Sequence, residues 1–241
     1  MPCVVTSSVK ARLEALSARH GLPEGAAGRF AALLDLVSAE PASITSVRDP
    51  VEGVDIHVAD SLVALELEVV RTAARIADLG SGGGFPGLVL AIALPDATVA
   101  LVESVRRKSA FIERAAAALK LRNVVVVNER AETWSAGLGS QDLVTARALA
   151  PLGVLVEYAA PLLVEGGSLV AWKGRPQAGE EADAAVAAAT LGMTSPESRA
   201  VEPFEGASER SLYLSSKVQP TPDRYPRRAG MARKRPFRAS G

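Results

Sequence analysis

Along residues 10–18 and 28–39, apolar side chains recur at intervals of three and four, the spacing that gathers them on one face of a helix. His20-Gly21-Leu22-Pro23 separates the two runs, because neither glycine nor proline continues a helix well. A turn-rich stretch at 41–50 follows, and helical spacing returns over about 54–70. Residues 1–70 are therefore expected to form a helical cap.

From residue 75 the pattern changes. Short apolar runs at 75–79, 98–102, 124–128, 143–146 and 168–172 alternate with helical spacing at 87–94, 106–119, 151–163 and 180–191. That alternation predicts an α/β fold, with parallel strands joined by crossover helices. Gly166-Gly167 is expected to turn the chain into the fifth run. The last two runs, 198–201 and 212–217, lie too close for a crossover helix and are expected to pair antiparallel, completing a mostly parallel seven-stranded sheet over residues 71–218. Beyond Lys217 the apolar period stops, and 219–241 reads as an extended basic arm.

Composition narrows the function. With 48% hydrophobic and 22% charged residues in 241, the chain has ample material for a packed core, which excludes general disorder. Its 27 basic and 27 acidic residues balance, yet they are segregated. From Lys217 to Gly241 eight Lys or Arg stand against one Asp, a formal +7 that leaves −7 for the rest. One cysteine, Cys3, fits a reducing compartment, and two histidines make a histidine-built metal site improbable. The longest apolar stretch, 148–164, is broken by Pro151, Gly153, Glu157 and Pro161, and the N-terminus lacks a secretory pattern. A cytoplasmic protein without metal or membrane is expected.

The sharpest local feature runs from Ile76 to Gly87: a strand, then Gly80-Ser81-Gly82-Gly83-Gly84-Phe85, then Pro86 at the start of a helix. Bare backbone at Gly80, Gly82 and Gly84 lets N–H groups approach an anionic ligand near the helix start. Gly82, Gly84 and Gly87 satisfy the spacing of dinucleotide sites, whereas Asp78, Gly80, Gly82 and Gly84 resemble the first motif of S-adenosylmethionine-dependent methyltransferases. A carboxylate at the strand end suits an ammonium and a sulfonium better than a pyrophosphate, so Asp78 weights the reading toward the methyl donor. Glu103, at the end of the second run, is placed to accept both ribose hydroxyls. Ala131 and Glu132, after the third, lie where an adenine ring would.

Missing groups restrict the chemistry. Attack through a pyrimidine C5 needs a cysteine nucleophile, and Cys3 is remote from the strand ends. The Asn/Asp-Pro-Pro-aromatic turn common in adenine amino-group methylation is absent after the fourth run, where Thr145-Ala146-Arg147-Ala148-Leu149-Ala150-Pro151 stands. An acceptor such as guanine N7 already carries a free lone pair, so holding it near the methyl supplies most of the catalysis and no general base is expected. Arg147 would face the donor's methionine end or the target nucleotide; at guanine it should meet O6 or a phosphate, since occupying N7 blocks attack. Lys173, at the end of the fifth run, would meet phosphate. His57, Asp60 and Ser61 share one helical stretch without an evident role. In the arm, Arg224, Arg227, Arg228, Arg233, Lys234 and Arg235 interleave with Tyr225 and Phe237, a composition suited to phosphates and stacked bases.

These residues resemble one family, the bacterial methyltransferases of small-subunit ribosomal RNA known as glucose-inhibited division protein B or RsmG. The motifs are SITSVRDP (43–50), HVADSL (57–62), DLGSGGGFPG (78–87), LVES with a following basic pair, LKLRNV (119–124), RAE, ARA, WKG and PTPDRYPRRAG (220–230), together spanning about 43–237. Many relatives carry Thr-Gly-Pro or Ser-Gly-Ala where this chain has Ser81-Gly82-Gly83, a sterically harmless change. The resemblance implies a class I, Rossmann-like fold with a helical cap, S-adenosylmethionine as donor, and N7 of a guanine in the decoding-region hairpin of 16S rRNA, naked or in a small-subunit particle, as acceptor. By motif it implies donor contacts at Gly80, Phe85, Glu103, Ala131, Glu132 and Arg147; a monomer is expected. A non-catalytic RNA-binding assembly factor on the same fold is the alternative.

Overall fold

The computed structural model describes residues 5–175 and 177–239; Cys3 lies outside them. Helix α1 (Ser7–His20) begins where Thr6 Oγ1 accepts from the Val9 N–H and ends at Gly21 in the left-handed conformation. It packs against α2 (Ala26–Ala39), burying Leu13, Phe30, Leu33 and Leu34. The stretch expected as one helix over 54–70 is instead a series of short pieces: α3 (Pro50–Gly53), a π turn (Val54–Ala59), α4 (Asp60–Leu62), a 3-10 turn (Val63–Glu66) and α5 (Glu68–Arg71). In the π turn the Asp60 N–H donates to the Asp55 carbonyl, five residues back, and Leu67 is extended. Packing overrides periodicity here: a side chain on Gly53 would stand 2.7 Å from Leu34 Cδ2, so α3 lies tight on α2.

Strands and helices then alternate as β1 (Arg75–Leu79), α6 (Gly87–Ala93), β2 (Thr98–Val102), α7 (Arg106–Ala118), β3 (Val124–Val127), β4 (Gln141–Arg147), α8 (Leu152–Ala159), β5 (Leu163–Lys173) and α9 (Glu180–Leu191). β6 (Glu197–Ala200), β7 (Ser211–Ser216) and α10 (Met231–Lys234) complete the chain. The sheet order is β3-β2-β1-β4-β5-β7-β6, parallel from β3 to β5, with β7 antiparallel to both its neighbours. Gly166-Gly167 does not turn the chain into β5. It lies within that strand at an irregularity in the β4–β5 register, where the Gly166 N–H donates to the Lys217 carbonyl and the Lys217 N–H to that of Gly167.

Side chains alternate across the sheet. Ile76, Val99, Leu101 and Val170 face the cap, α6 and α7; Ala77, Ala100, Val144 and Ala171 face α8, α9 and α10. No helix among the described residues is long and apolar enough to cross a membrane, and no cluster of His, Cys, Asp and Glu among them is arranged to hold a metal ion.

The basic arm is not extended. Tyr225 and Phe237 pack on the α8–α9 side of the core, and Ala232 is buried. The Arg227 guanidinium donates to both carboxylate oxygens of Glu157, at 2.6 and 2.5 Å, on the buried face of α8. Arg238 pairs with Asp183 at 2.6 Å. Point contacts of this kind leave no period in the sequence, so the pattern alone read this segment as free.

Glu157 is 3% exposed, so Arg227→Ala strands a buried charge. A loss of about 3 kcal/mol and a fall in melting temperature of about 6–12 °C are expected. Thermal unfolding checks this; adding Glu157→Gln to the variant should recover much of the loss.

Candidate active site

The glycine loop joins β1 to α6 at the carboxyl edge of the sheet, beside the point where strand order reverses between β1 and β4. Ligands of open α/β sheets bind at such switch points. Asp78 does not face that crevice. Its side chain is fully buried behind the loop, where Oδ1 accepts from Thr145 Oγ1 at 2.9 Å and Oδ2 from the Gly87 N–H at 3.1 Å. The expectation that this carboxylate meets the donor's cationic groups gives way to a structural one: it ties β1, β4 and the start of α6 together. Gly87 makes the approach possible, because a Cβ there would stand 2.8 Å from Asp78 Oδ2 and from Leu101. Burial pushes the Asp78 carboxyl up to about 6, against the hydrogen bonds it accepts.

Gly80, Gly82 and Gly84 all have positive φ, as the bare loop requires. A Cβ on Gly82 would meet nothing closer than a carbonyl oxygen at 3.7 Å, so the outer face of the loop is open to a ligand. On the inner side the Gly80 N–H donates to the Val102 carbonyl at 2.8 Å. Glu103, 6% exposed, accepts from the Gly82 N–H at 3.0 Å and the Val105 N–H at 2.7 Å. It has no cationic partner among the described residues, and its oxygens retain lone pairs for hydroxyl donors. Asn128 is a pin: its amide donates to the Glu103 carbonyl and to Ser109 Oγ.

Ala131 and Glu132 lie just beyond β3 in a single 3-10 turn, partly exposed. One Glu132 oxygen already accepts from the Gly230 N–H at 2.8 Å, so the C-terminal segment holds the residue expected near an adenine. The same segment reaches the glycine loop indirectly. Arg233 donates to the Leu149 carbonyl at 2.6 Å, and Leu149 covers Gly80, where a Cβ would stand 2.5 Å from its Cδ1.

Across the loop, Phe85 stacks on His57 with ring centroids 4.2 Å apart and planes 6° from parallel. His57 Nε2 donates to the Val47 carbonyl at 2.9 Å, and burial lowers its pKa to about 4, so the ring is neutral. Ser61 Oγ donates to the His57 carbonyl. Arg147 Nη1 donates to Asp60 Oδ2 at 2.7 Å and to the Ile56 carbonyl at 2.9 Å, with its Cζ 5.9 Å from the Phe85 centroid. Trp172 Nε1 donates to the Asp60 carbonyl at 2.6 Å. Two of the three cap residues without a role in sequence thus meet the site in space, His57 at Phe85 and Asp60 at Arg147 and Trp172, while Ser61 bonds back to the cap.

A cleft of about 400 Å³ opens beside them, lined by Asp60, Arg147, Trp172, Lys173, Arg175 and Arg210. Lys173, expected at phosphate, pairs with Glu180 at 2.5 Å, and Glu180 also accepts from the Leu152 N–H at the start of α8. Arg175 and Arg210 carried no sequence signal, since only strand pairing brings their neighbourhoods together. In the arm, Arg227 is held by Glu157, while Arg224, Arg228, Lys234 and Arg235 are exposed and have no acidic partner among the described residues.

Comparison with known proteins adds a third line. A family model described as GidB, rRNA small subunit methyltransferase G, matches residues 26–209. A ribosomal RNA small subunit methyltransferase G from Rubrobacter xylanophilus is 42% identical over 207 residues, covering 83% of this chain and 79% of that protein. The protein of the same name from Roseiflexus castenholzii is 44% identical over 202 residues, 81% of this chain and 84% of that protein. Among solved structures, a SAM-dependent O-methyltransferase from Thermotoga maritima matches with a TM-score of 0.53 at 17% identity, covering 79% of this chain and 73% of that one. A predicted O-methyltransferase from Agrobacterium tumefaciens matches at 0.51 and 22%, covering 67% and 80%. At such identities the structural likeness establishes the class I methyltransferase fold alone.

Two buried groups of the site oppose each other in pH dependence. The Asp78 carboxyl is raised from 3.8 to about 6, so between those values the unfolded chain releases a proton the folded one keeps, and stability falls with rising pH by up to about 3 kcal/mol. His57, lowered from 6.5 to about 4, has the reverse effect, and stability rises over that window. Asp78→Asn can still accept from Gly87 and donate to Thr145. Its denaturant-measured stability should climb more steeply than wild type from pH 4 to 6.5; parallel curves would show that Asp78 titrates normally.

Proposed function

The chain belongs to the GidB family, the small-subunit rRNA methyltransferases G, and from that premise we propose that it methylates N7 of a guanine in the decoding-region hairpin of 16S rRNA without a general base. It is an S-adenosylmethionine-dependent rRNA methyltransferase. The finer reading, which atom is methylated and how, is supported best by one observation. The cleft beside the glycine loop is cationic, and both acids that line it are engaged, Asp60 on Arg147 and Glu180 on Lys173.

The residues present fit the donor. The glycine loop, open at Gly82 and Gly83 while Leu149 and Leu88 back Gly80 and Gly84, would border its methionine end, with Phe85 closing the loop. Glu103, buried and without a cation among the described residues, would accept from the ribose hydroxyls, and Ala131 with Glu132 would border the adenine. When bound, S-adenosylmethionine supplies an electrophilic methyl carbon on a sulfonium. Guanine N7 presents a lone pair in the ring plane, so the protein has no proton to remove and its task is alignment. Arg147, over the Phe85 ring, would face the donor's methionine end or the target nucleotide; at guanine it would meet O6, which leaves N7 free. Arg224, Arg228, Lys234 and Arg235 meet phosphates, while Arg227 and Lys173 serve their ion pairs. The enzyme acts as a monomer in the cytoplasm on 16S rRNA or a small-subunit particle.

Incubation with methyl-labelled donor and unmethylated small-subunit RNA or particles should label one guanine at N7, mapped by mass spectrometry of nuclease fragments. Label at another atom overturns the N7 reading. Replacing Arg224, Arg228, Lys234 and Arg235 by Ala should weaken RNA binding and flatten its logarithmic salt slope by about 3, with donor affinity unchanged. An unaltered slope would remove the arm from the RNA interface.

A further inference from the structure

The turn after β4 is strained. Between Arg147 and Leu149, Ala148 has a φ of 53°, in the left-handed region that an alanine keeps only where its surroundings hold it. The Leu149 side chain presses on the glycine loop, since a Cβ on Gly80 would stand 2.5 Å from its Cδ1. Its carbonyl accepts from Arg233 Nη2 at 2.6 Å, 84 residues further along the chain. The same part of the arm reaches the loop after β3, where the Gly230 N–H donates to Glu132 Oε1 at 2.8 Å. Gly230 is the N-cap of α10 and Arg233 lies within it, so one helical turn acts at both places. Tyr158 on α8 is near both: burial pushes its hydroxyl pKa up, the Glu132 charge adds to the shift, and Arg233 opposes it.

We propose that Arg233 is a positioning residue for the methyl donor: through the Leu149 carbonyl it holds the turn after β4 against Gly80, which makes the C-terminal arm part of the donor site as well as of the RNA surface. The inference rests on the reading of Gly80, Arg147 and Glu132 as donor contacts. Glycine gives up more conformational freedom on folding than any other residue, so the shape of a glycine loop depends on what packs behind it. At Gly80 that packing is Leu149, and Arg233 fixes where Leu149 lies. The turn also carries Arg147 at its start. Docking of the arm does not depend on Arg233, which is exposed. Arg227 spans Glu157 and the Arg235 carbonyl, Thr221 Oγ1 donates to the Ala160 and Leu191 carbonyls, and Ala232 is buried. Removing the Arg233 side chain therefore frees the turn and leaves the arm in place.

The test uses Arg233→Ala, Arg233→Lys, Leu149→Ala and the double variant Arg233→Ala/Leu149→Ala. It measures S-adenosylmethionine binding by calorimetry without RNA, melting temperature, and the salt dependence of binding to small-subunit RNA. Residues that back a site without touching its ligand shift its affinity by about 2- to 30-fold. Arg233→Ala should accordingly weaken donor binding by about 10-fold at full stoichiometry. Arg233→Lys, which can still donate to the Leu149 carbonyl, should recover part of that loss. The double variant should bind donor no more weakly than Leu149→Ala, because a residue that acts through another adds nothing once the other is gone. Unchanged donor affinity in Arg233→Ala overturns the proposal. Accompanied by an RNA salt slope flattened by about 1, it makes Arg233 a phosphate contact; accompanied only by a lower melting temperature, it makes the bond to Leu149 a purely structural one. A double variant weaker than Leu149→Ala overturns the proposal too. Glu103→Ala tests the reading beneath: donor affinity there equal to wild type would remove this edge of the sheet from donor binding.

Discussion

One buried carboxylate holds the active edge of the sheet together. Asp78 accepts from Thr145 on β4 and from the first amide of α6, so a single side chain fixes the spacing of two strands and the helix that follows the glycine loop. The arrangement is costly in isolation, because burial disfavours its charge, and it persists because both oxygens are satisfied. Gly87 is the other half of the device: only a residue without a side chain lets the amide come within reach. From this bend the positions of Gly82, Phe85 and, through the Gly82 amide, Glu103 all follow.

Charge segregation does two jobs. Part of the C-terminal excess of cations is neutralised internally, as Arg227 meets Glu157 and Arg238 meets Asp183. That docking brings Gly230 to Glu132 and Arg233 to Leu149, so the arm braces the carboxyl edge of the sheet as well as lying beside it. The cations left over form the surface suited to a polyanion. A basic tail thus reads as an RNA-binding element only after its structural ion pairs are subtracted.

The cap and the sheet meet at one seam. His57 lies flat on Phe85 of the glycine loop, while Asp60 and the Ile56 carbonyl grip Arg147 at the end of β4. Glycine loop and cleft are therefore both backed by the same turn of the cap, and neither can shift far without disturbing it. The change in periodicity near residue 70 separates two secondary-structure patterns that pack in one core.

The strands, their parallel run and the antiparallel closing pair were legible from residue types, because burial on both faces imposes continuous apolar runs and a short connection cannot contain a helix. The glycine loop was legible too, since bare backbone has a local cause. The broken helix at 50–71, the glycine pair inside β5, the docked arm, and the partners of Asp78, Lys173 and Arg227 were not. Each depends on a contact between residues far apart in the chain, and a single long-range hydrogen bond or ion pair leaves no periodicity to read. Local sequence could say which residues were polar at the strand ends; only the folded chain decided which of them face a ligand and which face one another.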